Sequence, residues 1–404
     1  MKIKNNLNNK EKVILAFSGG LDTTYCVVHL QEKGYDIITA TINTGGFNKE
    51  KLKEIENKSI SLGATKHYTI DAQEEIYNTI ISKQIQMNAL YQGDYPLMCA
   101  DRYIISEKLI EIAKKENAKI VAHGSTANGN DQVRFNATIL TLAPEIKILE
   151  PIKYLNLTRD KEIEYLENKG ITVDKTVKRY SINDNVFGNT VSGSEIDNNN
   201  EPLNDAYTFT KINLKNISQE EYVVLTFENG LPIALNGKNM NGLNILKQLN
   251  SIVGKYGWGN IIYTGDCIIG IKGHLMFEAP GLLSLIEAHK KLEQYTLTEN
   301  QISFNKFASE KWANHVYNGL YYEPLVKNIE AMCEDMQKRV SGEIKMKLQH
   351  NKLTVVEIKS KNSLINEDIA TYAQKGTWTI DEVNGFIKLY SMQQTIAHNV
   401  KNGK

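Results

Sequence analysis

The 404-residue chain has few cysteines, no surplus of either charge and no long apolar run, and each shortage removes a class of protein. Its four cysteines, Cys26, Cys99, Cys267 and Cys333, are scattered. No pair has metal-binding spacing, and the count is too low for a disulfide-stapled secreted scaffold, so a cytoplasmic chain is expected. Lys+Arg and Asp+Glu number 47 each, which leaves no net field to hold nucleic acid. No stretch approaches the ~18–20 apolar residues that cross a bilayer, and residues 1–12 are polar, without the apolar core of a signal segment. What remains is a soluble chain long enough for two domains or more.

What is present centres on residues 13–25. An apolar run from Val13 to Phe17 has the length of a buried strand. Ser18-Gly19-Gly20 follows, where two glycines allow a tight turn and close backbone approach. Asp22 is suited to cap a helix over Thr23–Gln31. Strand, glycine turn and helix start together aim free amides and the positive helix end at one point, a cradle for pyrophosphate. The loop is not of the Walker type, because the lysine that follows the glycines there is missing. It is similar to the Ser-Gly-Gly-x-Asp-Ser/Thr loop of ATP pyrophosphatases, which split ATP between the α- and β-phosphates.

Further along, strands at Asp36–Asn43, Thr65–Ile70, Lys119–His123 and Lys147–Glu150 alternate with helical stretches at Lys49–Leu62, Ala72–Tyr91 and Ile104–Asn117. That alternation argues an α/β fold with a parallel sheet, whose ligands bind beyond the carboxyl ends of the strands. A helix at Thr158–Lys169 leads out. Residues 175–207 read as irregular. Then come a hairpin turning at Asn229-Gly230, a helix at Leu243–Val253, a glycine-rich strand region at Asn260–Lys272, two longer helical regions reaching Arg339, and a second hairpin turning near His350-Asn351. This is an α+β domain of different character. Thr379 and Glu382 form a capping box for one amphipathic tail helix reaching Asn399.

A second polar constellation runs from His123 to Phe135. Thr126 and Asn130 can donate to a carboxylate, Asp131 can accept from an ammonium, and Arg134 can clamp an anion. By itself it reads equally as a solvated loop with an Asx-turn.

With both stretches in hand the chain resembles the argininosuccinate synthase family, whose members carry Ala-Phe/Tyr-Ser-Gly-Gly-Leu-Asp-Thr-Ser and His-Gly-x-Thr-x-x-Gly-Asn-Asp-Gln-x-Arg-Phe. Here these read at 16–24 and 123–135, and the likeness continues at Leu142-Ala143-Pro144-Glu145, Tyr180-Ser181, Gly270-Ile271-Lys272 and Phe277-Glu278-Ala279-Pro280-Gly281. The resemblance implies an adenine nucleotide α-hydrolase-like domain over residues 1–172, an α+β synthetase domain over 173–376 and an oligomerisation helix over 377–404, with a homotetramer as the family habit. It implies that ATP with Mg²⁺ adenylates a ureido oxygen, releasing pyrophosphate, and that the amine of L-aspartate displaces AMP. Ala16, Phe17, Ser18, Gly19, Gly20, Leu21, Asp22, Thr23, Thr24, Ile42, His123, Gly124 and Gly129 fall at its ATP positions. Thr126, Asn130 and Asp131 fall at its aspartate positions, and Asp22, Asp131 and Arg134 are the residues implied to serve the chemistry.

The acceptor side departs from the family. Tyr95, Arg102, Arg134, Ser181, Thr190 and Ser192 fall in its pocket, but Ala100 stands where the family has a hydroxyl. Gly265 stands where it has a glutamate, Phe277 where it has a tyrosine, and Ser192 where Ser-x-Glu-x-Gly has its carboxylate. Citrulline carries an α-ammonium, and an uncompensated buried charge costs ~3–5 kcal/mol. Citrulline is therefore expected to be a poor acceptor, with an analogue, amide or carboxylate in its place; Glu195, Asp266 or Asp101 could compensate only through a shifted backbone. An adenylating enzyme of RNA would want a basic face and a cysteine pair, and a silent nucleotide-binding protein would not need both motifs.

Overall fold

A computed structural model describes residues 10–127, 129–173, 179–211, 220–372 and 375–401. Asn128 of the second constellation, residues 175–178 of the polar stretch, and residues 1–9 and 402–404 of the expected first and last segments lie outside them.

β1 (Lys12–Ala16) sends Val13 and Leu15 to one core and Ile14 to another, the mark of a strand covered on both faces. It leads through the glycine turn into α1 (Leu21–Glu32). Next come β2 (Asp36–Asn43), α2 (Lys49–Ser61) and β3 (Lys66–Asp71). The single helix expected over 72–91 is instead α3 (Gln73–Ile76), a π turn over Tyr77–Ile81, and α4 (Ser82–Met87). It stops early because Asn88 is left-handed, with φ 51°, and its side chain is bonded to His289 at 2.7 Å and to Glu293. α5 (Asp101–Glu116) begins three residues ahead of the expected Ile104, since Asp101 opens it with a buried carboxylate paired to Arg102 and Asn185. β4 (Ile120–Ala122), α6 (Asp131–Leu142), β5 (Lys147–Leu149), α7 (Pro151–Tyr154) and α8 (Arg159–Asn168) complete this half.

The five strands form one parallel sheet in the order β3-β2-β1-β4-β5. The chain fills one side outward from β1, then crosses to β4. The strand order reverses between β1 and β4, and in such sheets ligands bind in a crevice at the carboxyl ends of the strands that flank the reversal. The glycine turn follows one of these strands and the stretch from His123 follows the other.

The polar stretch expected to be irregular contains a hairpin, β6 (Ser181–Asn185) and β7 (Gly188–Ser192). Its first strand is exposed at four of five residues, so no alternation of apolar residues betrays it. β8 (Glu221–Glu228) and β9 (Leu231–Leu235) turn at Asn229-Gly230 as expected, both at positive φ. After β10 (Lys238–Asn239) and α9 (Gly242–Gly254), the glycine-rich region is two antiparallel strands rather than one: β11 (Asn260–Asp266) and β12 (Lys272–Glu278). α10 (Pro280–Thr296), α11 (Glu299–Tyr317) and α12 (Pro324–Gln337) precede the hairpin of β13 (Gly342–Gln349) and β14 (Lys352–Lys359). Two antiparallel sheets result, ordered β10-β9-β8-β13-β14 and β11-β12-β7-β6.

One apolar cluster runs from Ile14 and Ile42 of the parallel sheet through α5 to α10, α11 and β13, so the second half packs on a face of the first. The β6–β7 turn closes on the end of β2, where the Val186 amide donates to the Thr44 carbonyl at 2.7 Å. Beyond β15 (Ala370–Thr371) and β16 (Lys375–Gly376), the capping box at Thr379 is present, but the tail breaks at Ser391 into α13 (Ile380–Tyr390) and α14 (Met392–Lys401). Neither tail helix buries a residue, and Phe386, Leu389 and Tyr390 lie exposed.

Candidate active site

The glycine loop takes the shape its sequence suggests, with one correction. The cap of α1 is Gly20, not Asp22, which sits within the first turn. Starting the helix at Leu21 brings its unpaired amides closer to the turn. Gly19 has φ 76°, a conformation that side chains disfavour. Ser18 Oγ lies 3.4 Å from Thr23 Oγ1, and Thr24 Oγ1 donates to the Gly20 carbonyl at 2.7 Å. The amides of Leu21, Asp22 and Thr23, in the first turn of α1, have no carbonyl of the helix to reach, which leaves them open to an anion. Ala16 and Ile42 lie beside the loop on one face of the sheet, while Phe17 turns into the opposite core.

The second stretch meets the first at Gly124. A Cβ there would sit 3.3 Å from the Asp22 Cβ, so the two loops touch and glycine is what fits between them. His123 was expected at the ATP positions, but its ring is buried and spent. Nε2 lies 2.9 Å from Asn136 Oδ1, Nδ1 accepts from the Ser125 amide, and the ring stacks on Phe135. Burial lowers its basicity, so a neutral ring braces the loop from behind. Gly129 closes the turn through its amide and the Thr126 carbonyl at 3.3 Å, and the Thr126 side chain is exposed.

At the start of α6 the structure adds partners that the sequence did not indicate. Asp131 accepts from Arg102 Nε and from Arg134 Nη1, each at 3.0 Å. Burial would raise its pKa, but the two guanidiniums outweigh that and hold the carboxyl below its usual range. Its first partners are thus cations of its own chain rather than an incoming ammonium. Arg134 is almost wholly buried, donates to the Tyr317 carbonyl at 3.0 Å and lies over the Tyr317 ring at 4.9 Å. Its Nη2 is buried without a partner among the described residues. Asn130 accepts from the Ile268 amide at 3.0 Å and faces the Tyr317 hydroxyl at 3.2 Å, which pins α6 to the β11–β12 turn.

The acceptor side is a wall of packed rings. Tyr91 and Tyr317 stack face to face, with centroids 3.7 Å apart, and Tyr95 packs on Phe277 at 4.6 Å and on Tyr263 at 5.7 Å. The Tyr95 hydroxyl accepts from the Cys99 amide, in the turn that buries Ala100. Thr190 stands opposite Phe277 across β7 and β12, whereas Ser181 and Ser192 pair at the far end of the β6–β7 hairpin. Gly265 is buried, and a Cβ there would fall 1.8 Å from the Tyr263 hydroxyl, so Tyr263 occupies the space a side chain at 265 would need. That hydroxyl donates to Gln92, which also holds Asp266. Of the three carboxylates that might compensate, Asp266 is held by Gln92 and Lys272, Glu195 by Tyr180, Arg179 and the Leu203 amide, and Asp101 by Arg102 and Asn185. Each is spent on its own surroundings. A cavity of 1610 Å³, lined by Gln92, Trp258, Lys290 and Lys306, borders this wall at Tyr91 and Gln92; no residue of the glycine loop lines it.

Sequence reasoning missed Glu162, Lys58, Tyr317 and Tyr263. Glu162 on α8 is buried, with Oε2 unpaired, and its carboxyl shares a hydrogen bond with Asp22. Burial, then the Asp22 charge and that shared bond, push Glu162 up to about 8. Lys58 of α2 donates to the Gly19 carbonyl at 2.7 Å. No spacing in the sequence links these four to the motifs, because each arrives from a distant element.

A parallel sheet with an amide-lined glycine turn at its switch point, and a second polar loop against it, defines an adenine-nucleotide enzyme of the ATP-dependent ligase class. Residues 12–172 match the arginosuccinate synthase N-terminal HUP domain and residues 180–397 the arginosuccinate synthase C-terminal domain. The argininosuccinate synthase of Pyrococcus furiosus is 42% identical over 97% of this chain and 95% of its own. That of Sulfurisphaera tokodaii is 39% identical over 96% of this chain and 100% of its own, and that of Xanthomonas campestris pv. campestris 38% over 96% and 98%. The chain belongs to the argininosuccinate synthase family and is an ATP-dependent carbon–nitrogen ligase. No helix among the described residues is long and apolar enough to cross a membrane.

Proposed function

We propose that this enzyme activates a carbonyl oxygen of a small acceptor as its adenylate and that the amine of L-aspartate then displaces AMP. The observation that carries this reading is the contact of Gly124 with Asp22, which joins the amide cradle to the loop bearing Thr126, Asn130 and Asp131. Catalysis then rests on holding two reactants in line and on donors aimed at phosphoryl oxygens, with no nucleophilic side chain. The unpaired Nη2 of Arg134 would serve the acceptor oxygen or the α-phosphate. The donors of the loop are amides and hydroxyls, which suit phosphate oxygens and not a cation. Mg²⁺ would accordingly ride on the phosphates and neutralise them.

The relatives are named for a product of citrulline and aspartate, but we propose that citrulline is a poor acceptor here. Tyr263 over Gly265, the missing hydroxyl at Phe277, and the commitments of Asp266, Glu195 and Asp101 support an acceptor without an α-amino-acid head. Pyrophosphate release should be measured with nitrogen-labelled aspartate across ureido, amide and carboxylate acceptors, with the label expected in the product. A kcat/KM for citrulline of about 10⁴ M⁻¹s⁻¹ or more would show the pocket to be compensated and citrulline the substrate.

We place the enzyme in the cytoplasm as a homotetramer held partly by the tail. The unburied apolar faces of α13 and α14 support that role, and residues 377–404 are proposed as a segment distinct from the 1–172 and 173–376 domains.

A further inference from the structure

The glycine loop lacks a lysine in its own sequence, yet one stands over it. Lys58 lies in the last turn of α2, 39 residues beyond Gly19, and its ammonium donates to the Gly19 carbonyl at 2.7 Å. The helix is seated there by Ile55, whose Cγ1 would be 3.2 Å from a Cβ on Gly19. Two other lysines of α2 are neutralised within the helix, Lys51 by Glu54 and Lys53 by Glu56. Lys58 has no carboxylate partner among the described residues, and the only hydrogen bond of its ammonium there is to the loop carbonyl. Partial burial, and then the charge of Lys51, push its ammonium below the usual lysine range, an imbalance that an anion would relieve.

We infer that Lys58 binds the β- and γ-phosphates of ATP and the pyrophosphate that leaves. This rests on reading the loop as the ATP cradle. When the acceptor oxygen attacks the α-phosphorus, the bond from that phosphorus to the bridging oxygen breaks, and its electron pair departs on pyrophosphate. An ammonium on a flexible stem at the rim of the amide cradle meets that charge as it forms. The tertiary fold thereby supplies, from another helix, the cation that other phosphate loops carry in their own sequence.

The test is calorimetric binding of pyrophosphate and of AMP to the full chain, with Lys58→Met and Lys58→Arg as variants. Lys58→Met is expected to weaken pyrophosphate about 10- to 100-fold, the range of one charge-assisted hydrogen bond, and to leave AMP within about twofold. Lys58→Arg should recover most of the loss, and the melting temperature should not move, since the side chain is exposed. Equal weakening of AMP and pyrophosphate would mean that Lys58 only props the Gly19 carbonyl, and would overturn the inference. So would wild-type pyrophosphate binding in Lys58→Met. A wild-type chain that binds neither ligand would overturn the reading of the loop itself.

Discussion

At the glycine loop, the amides at the start of α1 have no partner among the described residues, Ser18 is exposed, and Lys58 rests on a carbonyl. At the acceptor wall, by contrast, nearly every polar group is spoken for. Asp131 takes two arginines, Asn130 takes the Ile268 amide, Gln92 takes Tyr263 and Asp266, and five rings fill the space between. Donors left open toward a crevice are completed by a ligand, so the loop is built for an anion. Groups that satisfy one another form a rigid frame, and such a frame selects by shape. Nη2 of Arg134 is an exception, buried without a partner among the described residues.

If that contrast is right, substitutions in the loop cost activity and little stability, while substitutions in the wall cost stability first. The largest effect should come from Gly19→Ala. Its Cβ meets Ile55 and its φ of 76° is strained for alanine, so the amides move off the phosphates. Pyrophosphate release should fall about 10³-fold, as when a preorganised oxyanion donor is lost, while the urea midpoint stays near wild type. Wild-type turnover in this variant would remove the distinction between the two regions.

Arg134→Met should cost stability first, and activity with it through the loss of Nη2. Removing a buried guanidinium breaks the pair with Asp131 and frees the Tyr317 carbonyl. A stability loss of about 3 kcal/mol is expected, near the low end for a broken buried pair because Arg102 remains on Asp131. Equilibrium denaturation reads it directly, and an unchanged midpoint would mean the wall is not a frame.

Glu162→Gln is the smallest effect and probes the seam behind the loop. A carboxyl raised to about 8 keeps its proton in the folded chain after the unfolded chain has lost it near the ordinary 4.5 of a glutamate. Folding stability therefore falls as pH rises through that window. The groups around it are Asp22, Tyr25 and Cys26 on α1 and Arg159 on its own helix. Glutamine stays neutral and can still donate to Asp22, so the variant should flatten the slope of urea midpoint against pH between 5 and 8. Identical slopes in the two proteins would mean that Asp22 and Glu162 do not share a proton.

The sequence by itself determined the parallel sheet, the glycine turn and the second loop. Val13 to Phe17, the two glycines and the helix after them are contiguous, and local geometry follows from contiguous residues. It also showed that the acceptor positions Gly265, Ala100 and Phe277 were unusual, but not what fills them. Only the tertiary structure decided that Tyr263 folds over Gly265, that Tyr317 at the end of α11 stacks on Tyr91, and that Lys58 and Glu162 reach the loop. It also paired Asp131 with two arginines and hid a hairpin in a stretch with no apolar alternation. These contacts join residues tens to hundreds of positions apart. Nothing in a single sequence marks which distant side chain a folded core will bring against a given loop, because that choice is made by packing and not by spacing.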